Sequence, residues 1–231
     1  MQPYFFPYIG YFQLAKEASV FIFQDDVKYT KRGWINRNVI LRDNAPARIT
    51  LPLAQSSDSQ TISEKQLAAD YRRPSLVRKI QAAYAHAPNL QQTVSFIDNA
   101  LDADSNRMID VLVRSLNMAF ELFGLEAETM LSSSLAIPED LKREQRIYWV
   151  CNQLGATTYT NSIGGTELYS TSEFAERGIA LRFVTPKITP YSQGSHTFVP
   201  NLSIIDHLMW RDPQDVAADM EANFYTTGIV T

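Results

Sequence analysis

Two adjacent carboxylates, Asp25 and Asp26, close the short apolar run Ala18–Phe23, and a cationic stretch follows them at once. Lys28, Lys31, Arg32, Arg37 and Arg42 put five basic residues into positions 28–42, against 21 in the whole chain of 231. The enrichment is local and sits just past a strand-like segment. Arginine forks grip phosphate or carboxylate through paired hydrogen bonds, and lysine adds a compact point charge. Asp25 and Asp26 could orient those cations, hold a hard divalent ion such as Mg²⁺, or accept a proton from an attacking amine or hydroxyl. Asp25, Asp26 and Lys31 are therefore the catalytic candidates, and Arg32 and Arg37 the candidate phosphate ligands. A solvated loop with surface ion pairs is the alternative; Gly33 and Trp34 amid the charges point to a shaped loop.

Further groups could contribute. The block Gln2-Pro3-Tyr4-Phe5-Phe6-Pro7-Tyr8-Ile9-Gly10-Tyr11-Phe12 sets two prolines and a glycine among six aromatics, which no ordinary amphipathic helix start does. It reads as a loop turning into a helix near Gly10, whose first N–H groups suit an anion, or as an aromatic plug at the end of a sheet. Tyr4 and Gly10 are the substrate-binding candidates here. Ser132-Ser133-Ser134, followed by Lys142, Arg143 and Arg146 on an expected helix, could bind phosphate through Ser132 or merely cap that helix. Asn161-Ser162-Ile163-Gly164-Gly165 offers a Gly-Gly turn that lets backbone approach a ligand, or serves conformation alone. Gln193, His196 and Asp206 lie in the tail, where Asp206 could cap a helix or close a pocket. Cys151, beside Trp149 and Val150 in a helical pattern, reads as packing. No two histidines have metal-ligand spacing.

The elements that would position these groups follow from periodicity. Ala18–Phe23 reads as a strand covered on both faces. Met108, Leu112, Leu116, Phe120 and Phe123 fall three and four apart, and Gly124 sits where a helix would end. Residues 126–131 form a strand running into the serines. Pro138 suits a first helical position, with Leu141, Ile147, Val150, Cys151 and Leu154 as one face stopped by Gly155. Strands at 156–160 and 179–184 flank a short helix over 172–177. The order from residue 106 is thus helix, strand, helix, strand, helix, strand, the pattern of a Rossmann-like, mostly parallel sheet with crossover helices. In such α/β folds ligands bind beyond the carboxyl ends of the strands, where Gln24–Asp26, Ser132–Ser134 and Asn161–Gly165 are placed. Residues 53–105, Ser/Gln-rich and then helical near 75–86, read as a helical insertion or cap on a single α/β domain spanning 1–231. The tail holds a short apolar element at 202–205 and a final helix over 213–224.

Composition sets the outer bounds. The chain is 45% hydrophobic and 20% charged, which supports a packed core. Its net charge of −4 gives no overall footprint for nucleic acid. One cysteine excludes an internal disulfide. No apolar run is long enough for a membrane span and no signal-peptide pattern opens the chain, so a soluble cytoplasmic protein is expected. Neither GxGxxG nor GxxxxGK[ST] is present.

Together the block Gln2 to Leu14, the pair Asp25-Asp26, the run Lys31 to Arg37, Gly155-Ala-Thr followed by Asn161 to Gly165 and Leu168-Tyr169, and the run Phe198 to Asp206 resemble the WbqC-like protein family over nearly the whole chain. The resemblance implies a role in bacterial O-antigen, lipopolysaccharide or other surface-polysaccharide biosynthesis, and a glycine-type aminoacyl transferase acting on an amino sugar. It marks Gln2, Gly10, Asp25, Asp26, Lys31, Arg32, Asn36, Arg37, Gly164 and Gly165 without giving them roles. Family members usually carry a short apolar strand before the Gln-Pro-Tyr block, whereas this sequence starts at Met1-Gln2. Pro7 to Tyr11 also looks like the P-x-x-G-H element of nucleotidyltransferases, with tyrosine in place of histidine. The expectation is an acyl or aminoacyl transferase for a nucleotide-linked amino sugar, with ATP and Mg²⁺ left open as cofactors. The alternatives are a non-catalytic nucleotide-sugar binding module and a nucleotidyltransferase-like enzyme.

Overall fold

Parallel strand pairing occurs twice along the chain, with helices between the paired strands. In the computed structural model, which describes residues 1–194, 197–222 and 224–227, the order is α1 (Ile9–Lys16), β1 (Val20–Phe23), β2 (Arg37–Arg42), β3 (Ala45–Thr50), α2 (Arg73–Ala83), α3 (Leu90–Ala100), α4 (Met108–Leu122), β4 (Glu128–Leu131), α5 (Glu144–Gln153), β5 (Thr158–Ser162), α6 (Thr171–Ala175), β6 (Ala180–Pro186), α7 (Ile204–Trp210), α8 (Pro213–Ala222) and β7 (Phe224–Thr227). Short 3₁₀ turns follow β4 (Ser132–Leu135) and β5 (Ile163–Leu168). β1 pairs parallel with β4, β5 pairs parallel with β6, β7 joins β6 antiparallel, and β2 with β3 forms a hairpin. The fold is mixed α/β with short parallel sheets, and pairing among the described residues is divided over three sheets.

The alternation expected from residue 106 onward is present as α4, β4, α5, β5, α6 and β6. Two local readings, at Pro138 and β1, need correction, and two stretches given no helix or strand each form one. Pro138 does not open α5: Leu141 N–H closes a single turn onto the Pro138 carbonyl, Arg143 takes φ 46°, and the helix begins only at Glu144. Lys142 and Arg143 therefore precede the helix. The apolar element at 202–205 enters α7, whose first turn is capped by Ser203 Oγ accepting the Ile205 N–H. The residues between Arg37 and Thr50 form a hairpin turned by Asp43 and Asn44, both at positive φ, as a two-residue loop that follows strand twist requires. β1 is covered on one face only, with Phe21 and Phe23 buried and Val20 and Ile22 half-buried.

The aromatic N-terminal block belongs to the core. Phe5, Phe6, Tyr11 and Phe12 are all buried, and Phe120 of α4 lies 6.1 Å from Phe12 and 5.5 Å from Phe21 between ring centres. Such edge and tilted contacts add to the large apolar area that each ring removes from water. Phe6 adopts φ 41°. The turn is held by Asn38, whose amide donates to the Phe5 and Phe6 carbonyls at 3.0 and 2.7 Å, and by Ser203 Oγ, which donates to the Phe6 carbonyl at 2.7 Å. Residues 53–105 share this core: Ile62, Leu76, Ile80 and Ile97 lie in the same buried cluster as Phe12 and Phe21. A second cluster, built on Phe174, Leu181 and Phe183, fills the space around α5, α6 and β6.

Candidate functional site

Parallel register carries two loops to one rim. Phe23 is paired with Leu131 at the carboxyl ends of β1 and β4, so Gln24-Asp25-Asp26 and Ser132-Ser133 leave the sheet side by side. Asp25 is 1% exposed. Its Oδ1 accepts the Ser133 N–H at 3.0 Å and its Oδ2 accepts the Ser133 hydroxyl at 2.7 Å. Ser132 Oγ accepts the Asp25 N–H at 3.2 Å and stands 3.1 Å from Asp25 Oδ1 and 2.5 Å from Asp26 Oδ1. A hydroxyl has one proton, and the shorter contact gives it to Asp26. The other oxygen of Asp26 pairs with the Arg146 guanidinium of α5. The side chains of Asp26 and Arg146 are 24% and 25% exposed, so this pair faces solvent while Asp25 is sealed beneath it. The arrangement has a buried, fully hydrogen-bonded carboxylate that orients a serine, and above it a reachable carboxylate fixed by that serine and an arginine.

The remaining sequence candidates fall into separate places. Lys31 and Arg32 are exposed, and Lys31 pairs with Asp58 at 2.6 Å. The Asp58 carboxyl lies below its ordinary value, first through the hydrogen bond and charge of Lys31 and then through the charges of Lys65 and Lys28. Arg37 is half-buried, its Nε has no hydrogen-bond partner, and its charge and hydrogen bonding oppose the upward push that burial gives the Tyr29 phenol. Asn36 is spent internally, donating to the Leu51 carbonyl and accepting from Tyr29. Gln2 lends only its carbonyl, to the Tyr11 hydroxyl at 3.0 Å. Tyr4 is half-buried 5.7 Å from the Tyr11 ring. A Cβ on Gly10 would lie 2.5 Å from the Tyr8 ring, so the tyrosine side chain lies over that face of the backbone.

Asn161, Gly164 and Gly165 sit at the end of β5. Gly165 lies under the Asn161 amide, which a Cβ would meet at 2.7 Å, while Gly164 is open. No hydrogen bond or ion pair among the described residues joins this turn to the Asp26–Arg146 rim. Gln193 is buried and satisfied, donating to Asp206 Oδ1 at 2.8 Å and accepting the Val199 N–H at 2.7 Å. His196 lies outside the described residues. Asp206 also accepts from Tyr84 and Tyr191, each at 2.6 Å. Burial pushes its carboxyl above the ordinary value despite those bonds. Sequence reasoning named Gln193 and Asp206 in the tail but not Lys65, Asp58 or Tyr84. Tyr84 stands 122 residues from Asp206, and no spacing announces their contact.

Among the described residues no three His, Cys, Asp or Glu side chains gather as a metal site. Asp25 is buried with its oxygens taken by Ser132 and Ser133, and Asp26 already carries the Arg146 cation, so the two residues do not fit a resident Mg²⁺, whose charge Arg146 would repel. No helix among the described residues is long and apolar enough to cross a membrane.

The sequence pattern of the WbqC-like protein family matches residues 2–218. The chain belongs to the WbqC-like protein family. It is similar to the uncharacterized protein Rv1507c of Mycobacterium tuberculosis, 26% identical over 211 residues and 90% of each chain. No solved structure matches it. The family match takes in both loops of the rim and the whole basic stretch.

Proposed function

We propose that this WbqC-like protein is an acyl or aminoacyl transferase that modifies the amine of a nucleotide-linked amino sugar for bacterial surface polysaccharide, built on a Rossmann-like plan with its site at the carboxyl ends of the parallel strands. The observation that carries this reading is the Asp26 carboxylate, solvent-facing and held by Ser132 and Arg146 at the rim of β1 and β4. A general base must be reachable and oriented, and Asp26 meets both needs. The amine nitrogen forms the bond to the activated acyl carbon, the activating group leaves with its electron pair, and the amine proton passes to Asp26. Asp25 acts as a positioning residue through Ser132 and Ser133. Lys31, Arg32 and Arg37 supply cations for the nucleotide phosphates. If the donor is activated as an adenylate, ATP is a cosubstrate.

The test is incubation of the protein with an amino sugar nucleotide, glycine and ATP, followed by mass spectrometry of the sugar. Gain of one aminoacyl group supports the transferase. Saturable sugar-nucleotide binding with no product over hours overturns it in favour of a binding module.

A further inference from the structure

The basic turn after β1 is already supplied with an anion from its own chain. Residues 55–60 fold against it, so that Tyr29 N–H donates to the Gln60 carbonyl and Lys28 bridges Thr61. Lys65 is 3% exposed, yet its ammonium is held only by neutral oxygens, Ser56 Oγ at 2.8 Å and the Ser57 carbonyl at 2.9 Å, with the Tyr29 ring centre 5.1 Å away. Among the described residues no carboxylate comes within ion-pair distance of it. A buried charge without a counter-ion is costly to hold and favours any anion that approaches. Lys31 pairs with Asp58 at 2.6 Å and the Lys65 ammonium bonds the carbonyl of the adjacent Ser57, so both cations converge on residues 57–58; Lys28, bridged to Thr61, adds its charge to the same segment. With Glu64, on which Lys65 also acts, two carboxylates stand against three lysines, and the Asp58 side chain is 67% exposed. Water and salt compete strongly for such a pair. A phosphoryl group brings about two charges and three acceptor oxygens to the same place.

We propose that Lys28, Lys31 and Lys65 form a phosphate-binding site that Asp58 occupies in the free protein as a displaceable internal anion, and that the diphosphate of a ligand takes its place. The proposed function is needed only to identify that diphosphate as part of a nucleotide-linked sugar. As the phosphate binds, Asp58 releases Lys31, while Lys65 stays bonded to Ser56 and Ser57.

Calorimetric titration of the full chain with inorganic pyrophosphate at low salt tests this. Asp58→Asn should tighten binding about fivefold, the factor that loss of one competing exposed ion pair allows, and added salt should shrink the gain. Lys31→Ala, a change on an exposed side chain that leaves the fold intact, should weaken binding by about the same factor. Equal or weaker binding by Asp58→Asn, or no pyrophosphate uptake by either protein, overturns the proposal. Competition by uridine diphosphate assigns the anion to a nucleotide, and its failure to compete assigns a free diphosphate; either result upholds the site. Acyl transfer by a protein whose pyrophosphate affinity ignores Asp58→Asn would reject this proposal and keep the transferase. Tighter binding without product would do the reverse.

Discussion

Replacing Asp25 by alanine should cost more stability than replacing Asp26 by asparagine, although the two residues are neighbours. Asp25→Ala removes the acceptor of the Ser133 N–H and of the Ser133 hydroxyl. The hydroxyl belongs to an exposed residue and turns to water, so the uncompensated loss is the charge-assisted bond to the N–H and the orientation of Ser132. Hydrogen bonds to charged groups contribute about 1.5–3 kcal/mol, and relief of carboxylate burial offsets part of this, which leaves about 2 kcal/mol. For a chain of this size that is a fall in Tm of roughly 4–8 °C. Asp26→Asn keeps an acceptor for Ser132 and loses an ion pair whose members are both about a quarter exposed, a cost of at most about 1 kcal/mol. Urea unfolding followed by circular dichroism, with Tm by calorimetry, measures both. The reverse order, with Asp26→Asn the less stable, would refute the assignment of Asp25 to scaffold and Asp26 to the working face.

Burial, and secondarily the charge of Arg211, pushes the His207 imidazole from 6.5 down to about 3. The unfolded chain therefore binds a proton that the native state refuses between those values, and stability falls as pH drops through that window, by up to about 1.4 kcal/mol per pH unit. His207→Gln should flatten this slope relative to the native protein in unfolding measured from pH 4 to 7; parallel slopes would contradict the burial argument. Asn38→Ala removes the two carbonyl contacts that hold the Phe6 turn and should cost about 2 kcal/mol, read by urea midpoint. Phe120→Ala empties the centre of the aromatic core and should cost about 3–5 kcal/mol, with a loss of near-ultraviolet dichroism.

The sequence carried the second half of the fold well, because helices α4, α5 and α6 are each stopped by a glycine: Gly124, Gly155 and Gly178 all take positive φ. It carried α3 poorly. The buried face of that helix is Thr93, Ile97 and Ala100, and two of those three residues do not read as apolar anchors. The β2–β3 hairpin was hidden by its charges: Arg37 and Arg42 bound a strand whose buried residues include an asparagine. At the site, the placement of Asp25-Asp26 and of Ser132 at strand carboxyl ends was legible because each follows a strand; the hydrogen bonds between them were not. The division of labour between the two aspartates was not, since it depends on which carboxylate the register seals. The basic stretch was visible as charge, but its counterpart Asp58 lies in a polar segment that by composition looks like any surface loop.

The most direct measurement is the initial rate of acyl transfer by Asp26→Asn beside the native protein, at matched folded fraction and saturating sugar nucleotide. Loss of the proton acceptor should lower kcat at least about a hundredfold, as removal of a general base does, with little change in sugar-nucleotide affinity. A variant that turns over at the native rate would contradict the placement of the chemistry at the Asp26–Arg146 rim.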